Sequence, residues 1–255
     1  MSTRHFDVGL VHGVVATRTG ARLPQIADAF DVAEVIGAAT DQHVLLLSNI
    51  PQHFRGHVEA DTLFSDPARI SMLAMAHHRI LQAAAVITDV VPIRLGTLVR
   101  GLKGARDLLT REAGPFAERL TTIRNAVEFA VRILPARRPT PTPQASQMHA
   151  GSGRAYLRAR SDECVRGRPA AVDIALQELA LRAVATCERQ PGSRQAGRPR
   201  AVADVAFLVD RRKLTAFDEC AGVIEQQIAR NGLALDIFGP LPAYSFVDGR
   251  PEDQR

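Results

Sequence analysis

In the stretch Leu235-Asp236-Ile237-Phe238-Gly239-Pro240-Leu241-Pro242-Ala243-Tyr244-Ser245-Phe246, β-favouring residues alternate with smaller or polar ones and then break at Gly-Pro. The pattern predicts a buried strand stopped at Gly239 and a rigid extended tail beyond it. Pro240 and Pro242 fix φ and donate no N–H, so the tail is not expected to prolong a sheet. Tyr244 and Phe246 are two apart and share one side of an extended chain. Buried, they form an aromatic clip that closes a core; exposed, they form a partner-binding surface.

Just upstream, Leu214, Phe217, Ala221, Ile224 and Ile228 recur at helical spacing, and Asn231-Gly232 is a natural helix stop. Residues 202–209 read as a strong strand. Strand, helix and strand with short connections make a compact α+β unit. Before it, residues 190–200 form a Gly-, Pro- and Arg-rich loop. Val172, Leu176, Leu179, Ala183 and Cys187 mark the apolar face of a helix that also takes in Gly153-Arg154-Ala155-Tyr156-Leu157.

The stretch 135–143 holds four prolines among Arg and Thr with no apolar periodicity, which reads as a linker. On its N-terminal side, residues 8–16 read as a strand around Gly13, where another backbone approaches closely. Residues 43–50 give a second strand with the buried run Val44-Leu45-Leu46-Leu47. Asp66-Pro67 starts a helix cleanly, and Ile70, Leu73, His77, Ile80 or Leu81, and Ala84 form its apolar stripe. His77 on that stripe reads as a core histidine, with His78 beside it. In residues 90–99, Pro92 and Gly96 interrupt a strand and imply an edge or bulge. Arg94 within it either reaches solvent or pairs with a buried acid, and the structural ion pair is the favoured reading. Residues 102–120 are helical with a break at Gly114-Pro115, and residues 126–133 alternate as a strand.

These elements predict an α+β chain of two domains: residues 1–134, a linker at 135–150, a second domain at 151–249 and a polar tail at 250–255. Hydrophobic residues make up 46 % of the 255, enough for a sizeable core. The net charge is +5 and only Lys103 and Lys213 are lysines, a mild arginine-borne excess with no aromatic-rich strand for stacking RNA. No nucleic-acid partner is expected. Cys164, Cys187 and Cys220 are widely spaced and form no CxxC pair, which fits a reducing cytoplasm and no zinc site. No uncharged apolar run reaches spanning length, so no membrane partner is expected.

Catalytic and cofactor motifs fail at specific positions. In Gly96-Thr97-Leu98-Val99-Arg100-Gly101-Leu102-Lys103, Leu102 displaces the lysine of a phosphate loop by one, and Gly104 stands where a hydroxyl is needed. His53 and His57 have zinc-helix spacing but lack the glutamate, and Gly56 argues for a loop. No nucleophile elbow or dinucleotide turn exists. A cleft around His77, His78 and Arg94 is the form an enzyme reading takes, and a nucleic-acid-binding α+β module is the other alternative.

Four stretches, together and in order, resemble the gas vesicle accessory protein family GvpL/GvpF. Leu10-Val11-His12-Gly13-Val14-Val15 is similar to its opening strand, in which Tyr commonly stands at the places of Leu10 and His12. His77 to Leu81 followed by Val91-Pro92-Ile93-Arg94-Leu95-Gly96-Thr97 resembles its central helix and following strand. Gly153-Arg154-Ala155-Tyr156-Leu157 resembles its Gly-x-x-Tyr-Leu helix start, and Val205-Ala206-Phe207-Leu208-Val209 with Gly239-Pro240-Leu241-Pro242-Ala243-Tyr244-Ser245-Phe246 its closing strand and Gly-Pro-Trp-Pro-Pro-Tyr-Ser-Phe tail. Leu241 departs from the Trp and Ala243 from the second Pro.

The resemblance implies an N-terminal modified ferredoxin-like domain and a C-terminal α+β domain with long helices. It also implies a non-enzymatic, cofactor-free role in assembling gas vesicles in the cytoplasm. The implied partners are the hydrophobic shell subunit and other accessory proteins. An exposed strand edge suits such a partner, which makes Arg94, Gly96, Thr97, Tyr244 and Phe246 the candidate partner-binding residues.

Overall fold

A computed structural model describes residues 8–17, 35–39, 42–49, 66–136, 168–189 and 201–247. It mixes helix and strand throughout. The chain divides into two compact units, residues 1–128 with 239–255, and residues 129–238. The sequence boundaries at 134 and 151 assigned residues 239–249 to the second domain. The structure groups them with the first unit, because Ser245 is tied to Glu128 and Tyr244 to His78.

The first unit is built on β1 (Val8–Ala16). β2 (Val35–Ala39) pairs with β3 (His43–Asn49), and β3 lies antiparallel to β1. On the other side of β1 lie β4 (Val91–Pro92) and β5 (Leu98–Arg100), both antiparallel to it. The sheet order is β2-β3-β1-β4, with β5 also against β1. The expected interruption in 90–99 is therefore real: Pro92 ends one short pairing, and a turn closed by Thr97 N–H to the Arg94 carbonyl precedes the next. Gly96 has φ +97°, a conformation glycine adopts without steric cost.

Helix α1 (Pro67–Ile87) starts as its sequence requires, with the Asp66 carboxylate accepting from Ala68 N–H at 2.9 Å. Its buried stripe is His77, Ile80, Leu81, Ala84 and Ala85. Leu81, Ala84 and Ala85 pack with Val15, Val44 and Leu46. Gly13 lets the helix come this close: a Cβ there would stand 2.7 Å from Leu81 Cδ2 and 2.9 Å from the Val91 carbonyl oxygen. By length and composition α1 could cross a membrane, but that stripe is packed against the sheet.

Helices α2 (Gly101–Arg111) and α3 (Ala113–Thr122) follow. Their break falls at Glu112 rather than at Gly114-Pro115, because Pro115 sits in the first turn of α3, where no helical N–H is lost. Phe116 of α3 meets His43 of β3 edge-on at 6.1 Å. Since Val44 and Leu46 meet α1, β3 is covered on both faces, which is why its sequence is a continuous apolar run.

In the second unit, β7 (Ala185–Glu188), β8 (Ala203–Asp210), β6 (Ala126–Pro135) and β9 (Leu233–Leu241) form a sheet in that order. Ala126–Glu128 and Gly239–Leu241 are the parts of β6 and β9 that belong to the first unit. Helices α4 (Ala170–Ala180) and α5 (Leu214–Ala229) bury Val172, Leu176, Leu179, Phe217, Ala221, Ile224 and Ile228 against Val131, Ile133, Val205, Phe207 and Val209.

The predicted α4 stripe overran. The helix ends at Ala180, and Cys187 lies on β7. The last strand also differs: β9 runs through Gly239-Pro240 and is only partly buried, with Phe238 50 % exposed. As an edge strand it tolerates a proline. Pro135 ends β6, and the linker from 137 onward, the 153–157 helix start and the His53/His57 pair lie outside the described residues.

Candidate functional site

Three elements of the first unit meet at one half-enclosed cleft of about 260 Å³. Its walls are Ala74, His77 and His78 from α1, Pro92 to Leu95 from the turn after β4, and Tyr244 and Val247 from the closing segment.

The chemistry behind the wall begins in β1. Val11 pairs with Leu47 and Gly13 with Leu46, so His12 is an extra residue, a bulge. The bulge brings the imidazole to α1. His12 Nδ1 lies 3.0 Å from His77 Nδ1, and His12 Nε2 lies 2.8 Å from Ser48 Oγ. His77 also donates to the Ile93 carbonyl. With Nδ1 facing His12, that donation puts its proton on Nε2. One neutral arrangement then satisfies every atom: Ser48 O–H to His12 Nε2, His12 Nδ1–H to His77 Nδ1, and His77 Nε2–H to Ile93.

Burial enforces the neutrality. His12 and His77 are 1 % and 6 % exposed. The His12 pKa is pushed down to about 3 by burial and then by the charge of His77. That of His77 falls to about 4 through burial and the charge of His78, against a smaller opposing effect from the Ile93 hydrogen bond. The core-histidine reading of His77 is thus the correct one.

On the cleft side, His78 Nδ1 and the Tyr244 hydroxyl are 3.0 Å apart, with the rings stacked at 6.0 Å. Tyr244 also packs on the cluster of Val15, Leu46, Leu81 and Val90. Its phenol is pushed up to about 12 by burial and then by the negative charge of Glu128. Glu128, 1 % exposed, accepts from Ser245 N–H at 2.7 Å and Ser245 O–H at 2.8 Å. These bonds hold the closing segment in place.

The sequence-predicted residues separate here. Arg94 and Tyr244 line the cleft. Gly96 shapes the turn that presents Arg94, and Thr97 closes it, its hydroxyl donating to the Arg94 carbonyl at 2.9 Å. Phe246 is partly buried outside the cleft. Tyr244–Phe246 is a 3-10 turn rather than an extended tail, so the two rings do not share a side. The ion pair expected for Arg94 is not found: its side chain is exposed and pairs with no described residue. The turn lifts it out of the strand, so no buried charge needs neutralising. Lys103 of the imperfect phosphate loop lies 2.8 Å from Asp107 on the surface of α2. His12, Ser48 and Glu128 escaped notice because each looks unremarkable within its own strand.

The chain matches the family model "Gas vesicle synthesis protein GvpL/GvpF" over residues 10–248. It is 26 % identical to gas vesicle protein L of Streptomyces sp. (strain CB03234), over 98 % of this chain and 92 % of that one. It is 30 % identical to gas vesicle protein F of the same strain, over 68 % and 76 %. Crystal structures of GvpF share the fold. The one from Anabaena sp. PCC7120 has a TM-score of 0.62 at 15 % identity, covering 95 % of this chain and 96 % of that one. The one from Microcystis aeruginosa has 0.61 at 14 %, covering 97 % and 100 %. This chain belongs to the GvpL/GvpF family of gas vesicle synthesis proteins.

Proposed function

We propose that this protein is a non-enzymatic assembly factor that binds the hydrophobic shell subunit, and other accessory proteins, in the cytoplasm as gas vesicles form. The first unit is the binding unit in this reading. The observation that carries it is the half-enclosed cleft beside β4, whose lining joins apolar side chains to Arg94, which pairs with no described residue. Met72 and Met75, each more than half exposed on α1, extend the apolar surface available to a partner. Arg94, Gly96, Thr97, Tyr244 and Phe246 are the proposed partner-binding residues, and neither nucleic acid nor membrane enters. The sheet order β2-β3-β1-β4, antiparallel at each pairing, with α1 between β3 and β4, supports a modified ferredoxin-like description of this unit.

An enzyme is the alternative that the meeting of His77, His78, Arg94 and Tyr244 brings to mind. Ser48, His12 and His77 even align like a nucleophile, base and orienting group. But Ser48 and His12 are 7 % and 1 % exposed and line no part of the cleft. A base whose pKa is near 3 also binds no proton at neutral pH.

The test is capture of purified shell subunit by the full chain and by Arg94→Ala and Tyr244→Ala/Phe246→Ala, each checked for folding by circular dichroism. Both variants are expected to lose capture by about tenfold or more, the range of a desolvated anchor contact. Wild-type capture by both folded variants overturns the placement.

A further inference from the structure

The cleft has a chemical asymmetry. Among the described residues its lining contains one arginine, two histidines and a tyrosine, and no carboxylate. Glu128, the acid near Tyr244, already accepts two hydrogen bonds from Ser245. Arg94 pairs with no described residue. The His78–Tyr244 pair adds a donor whichever way its shared proton lies. If the hydroxyl donates to His78 Nδ1, the ring keeps Nε2–H; if Nδ1–H donates, the hydroxyl hydrogen is free. Ala74, Pro92, Ile93, Leu95 and Val247 supply apolar wall around these donors.

Other ligand classes fit poorly. A cation finds no acceptor carboxylate among the described lining residues. A phosphate group finds, among the described lining residues, one guanidinium, no lysine and no helix N-terminus. A metal ion finds His77 Nδ1 taken by His12 and His78 Nδ1 by Tyr244, and no cluster of three ligating side chains among the described residues. The lining suits a single carboxylate beside apolar groups, and the open side admits a segment passing through.

We propose that this cleft docks an acidic side chain flanked by apolar residues of a partner polypeptide. Arg94 takes the carboxylate, and Ala74, Ile93, Leu95 and Val247 take the flanking apolar groups. The proposal rests on the reading that the protein binds a partner, and it narrows the chemistry of the contact.

The test uses the full chain and three hexapeptides followed by NMR titration to millimolar concentration. They are N-acetylated Ala-Leu-Glu-Leu-Ile-Ala amide, its Glu→Gln form, and the Gln form with a free C-terminal carboxylate. The blocked Glu peptide is expected to bind about tenfold tighter than the blocked Gln peptide, as a charge-assisted bond to arginine requires. The preference is expected to disappear in Arg94→Gln, to weaken at high salt and to survive Lys213→Gln. Equal binding of the two blocked peptides, or a preference that persists in folded Arg94→Gln, overturns the proposal. A free-acid Gln peptide binding as tightly as the Glu peptide also overturns it, since the site would then read a chain terminus. Shell-subunit capture separates the two claims. Capture with no Glu preference leaves the assembly reading standing and removes this site; a Glu preference without capture does the reverse.

Discussion

At the residue scale, the consequential group is the imidazole chain behind the cleft. Unfolded, His12 and His77 titrate near 6.5; folded, they hold off protonation until about 3 and about 4. Both folded values lie below the unfolded one, so between roughly pH 6.5 and 3 the unfolded chain binds more protons than the folded one. Stability is full above this window and falls as the pH drops through it. At pH 5 each ring is expected to cost on the order of 2 kcal/mol. Urea denaturation at pH 7 and pH 5 reads this directly. A His12→Gln/His77→Gln variant is expected to show a smaller difference between the two pH values; an equal difference would remove the imidazole chain as its cause. The sequence revealed half of this: His77 fell on an apolar stripe, which marks it as a core residue. The rest of the chain was hidden, because His12 lies 65 positions from His77 and Ser48 lies 36 from His12, and the local pattern of a strand does not encode what faces it.

At the element scale, β1 carries two adjacent irregularities with different purposes. The bulge at His12 turns a polar ring toward α1, and Gly13 lets that helix settle on the strand. Gly13→Ala would push a methyl group against backbone as well as side chain. A cost of about 1–3 kcal/mol is expected, the usual range for overpacking, measured as a lowered urea midpoint with an unchanged slope. An unchanged midpoint would mean α1 shifts at no cost. The close approach at Gly13 was legible, since glycine weakens an apolar strand and stands there where a neighbour leaves no room for a Cβ. So were β3, β6, β8 and α5, whose periodicity is long and clean. β2, Val-Ile-Gly-Ala-Ala, and β7, Ala-Thr-Cys-Glu, were not. They are short, weak in β-formers, and set by pairing with a stronger neighbour. Arg94 misled for a related reason: a residue between Ile93 and Leu95 looks buried until the turn around Gly96 takes it to the surface.

At the scale of the whole molecule, the first unit is discontinuous in sequence. Its closing segment is recognisable from motif alone, yet the motif says nothing about where it docks. Its contacts span 166 positions, from His78 to Tyr244, and 117, from Glu128 to Ser245. Removing residues 239–255 is expected to leave Glu128 buried without the two Ser245 donors and to uncover the Tyr244 site. Hydrogen exchange should then accelerate in β1, β3 and α1 while β8 and α5 keep their protection; uniform protection would show that the segment stabilises nothing. The same discontinuity has a temporal meaning. Residues 129–238, 110 of them, are synthesised between the two parts of the first unit. At about 5–20 residues per second, that is a wait of roughly 6–22 s. Throughout it the nascent first unit lacks Tyr244, which later packs on Val15, Leu46, Leu81 and Val90. The core of the first unit can close only after its last segment has been made, a full second unit later.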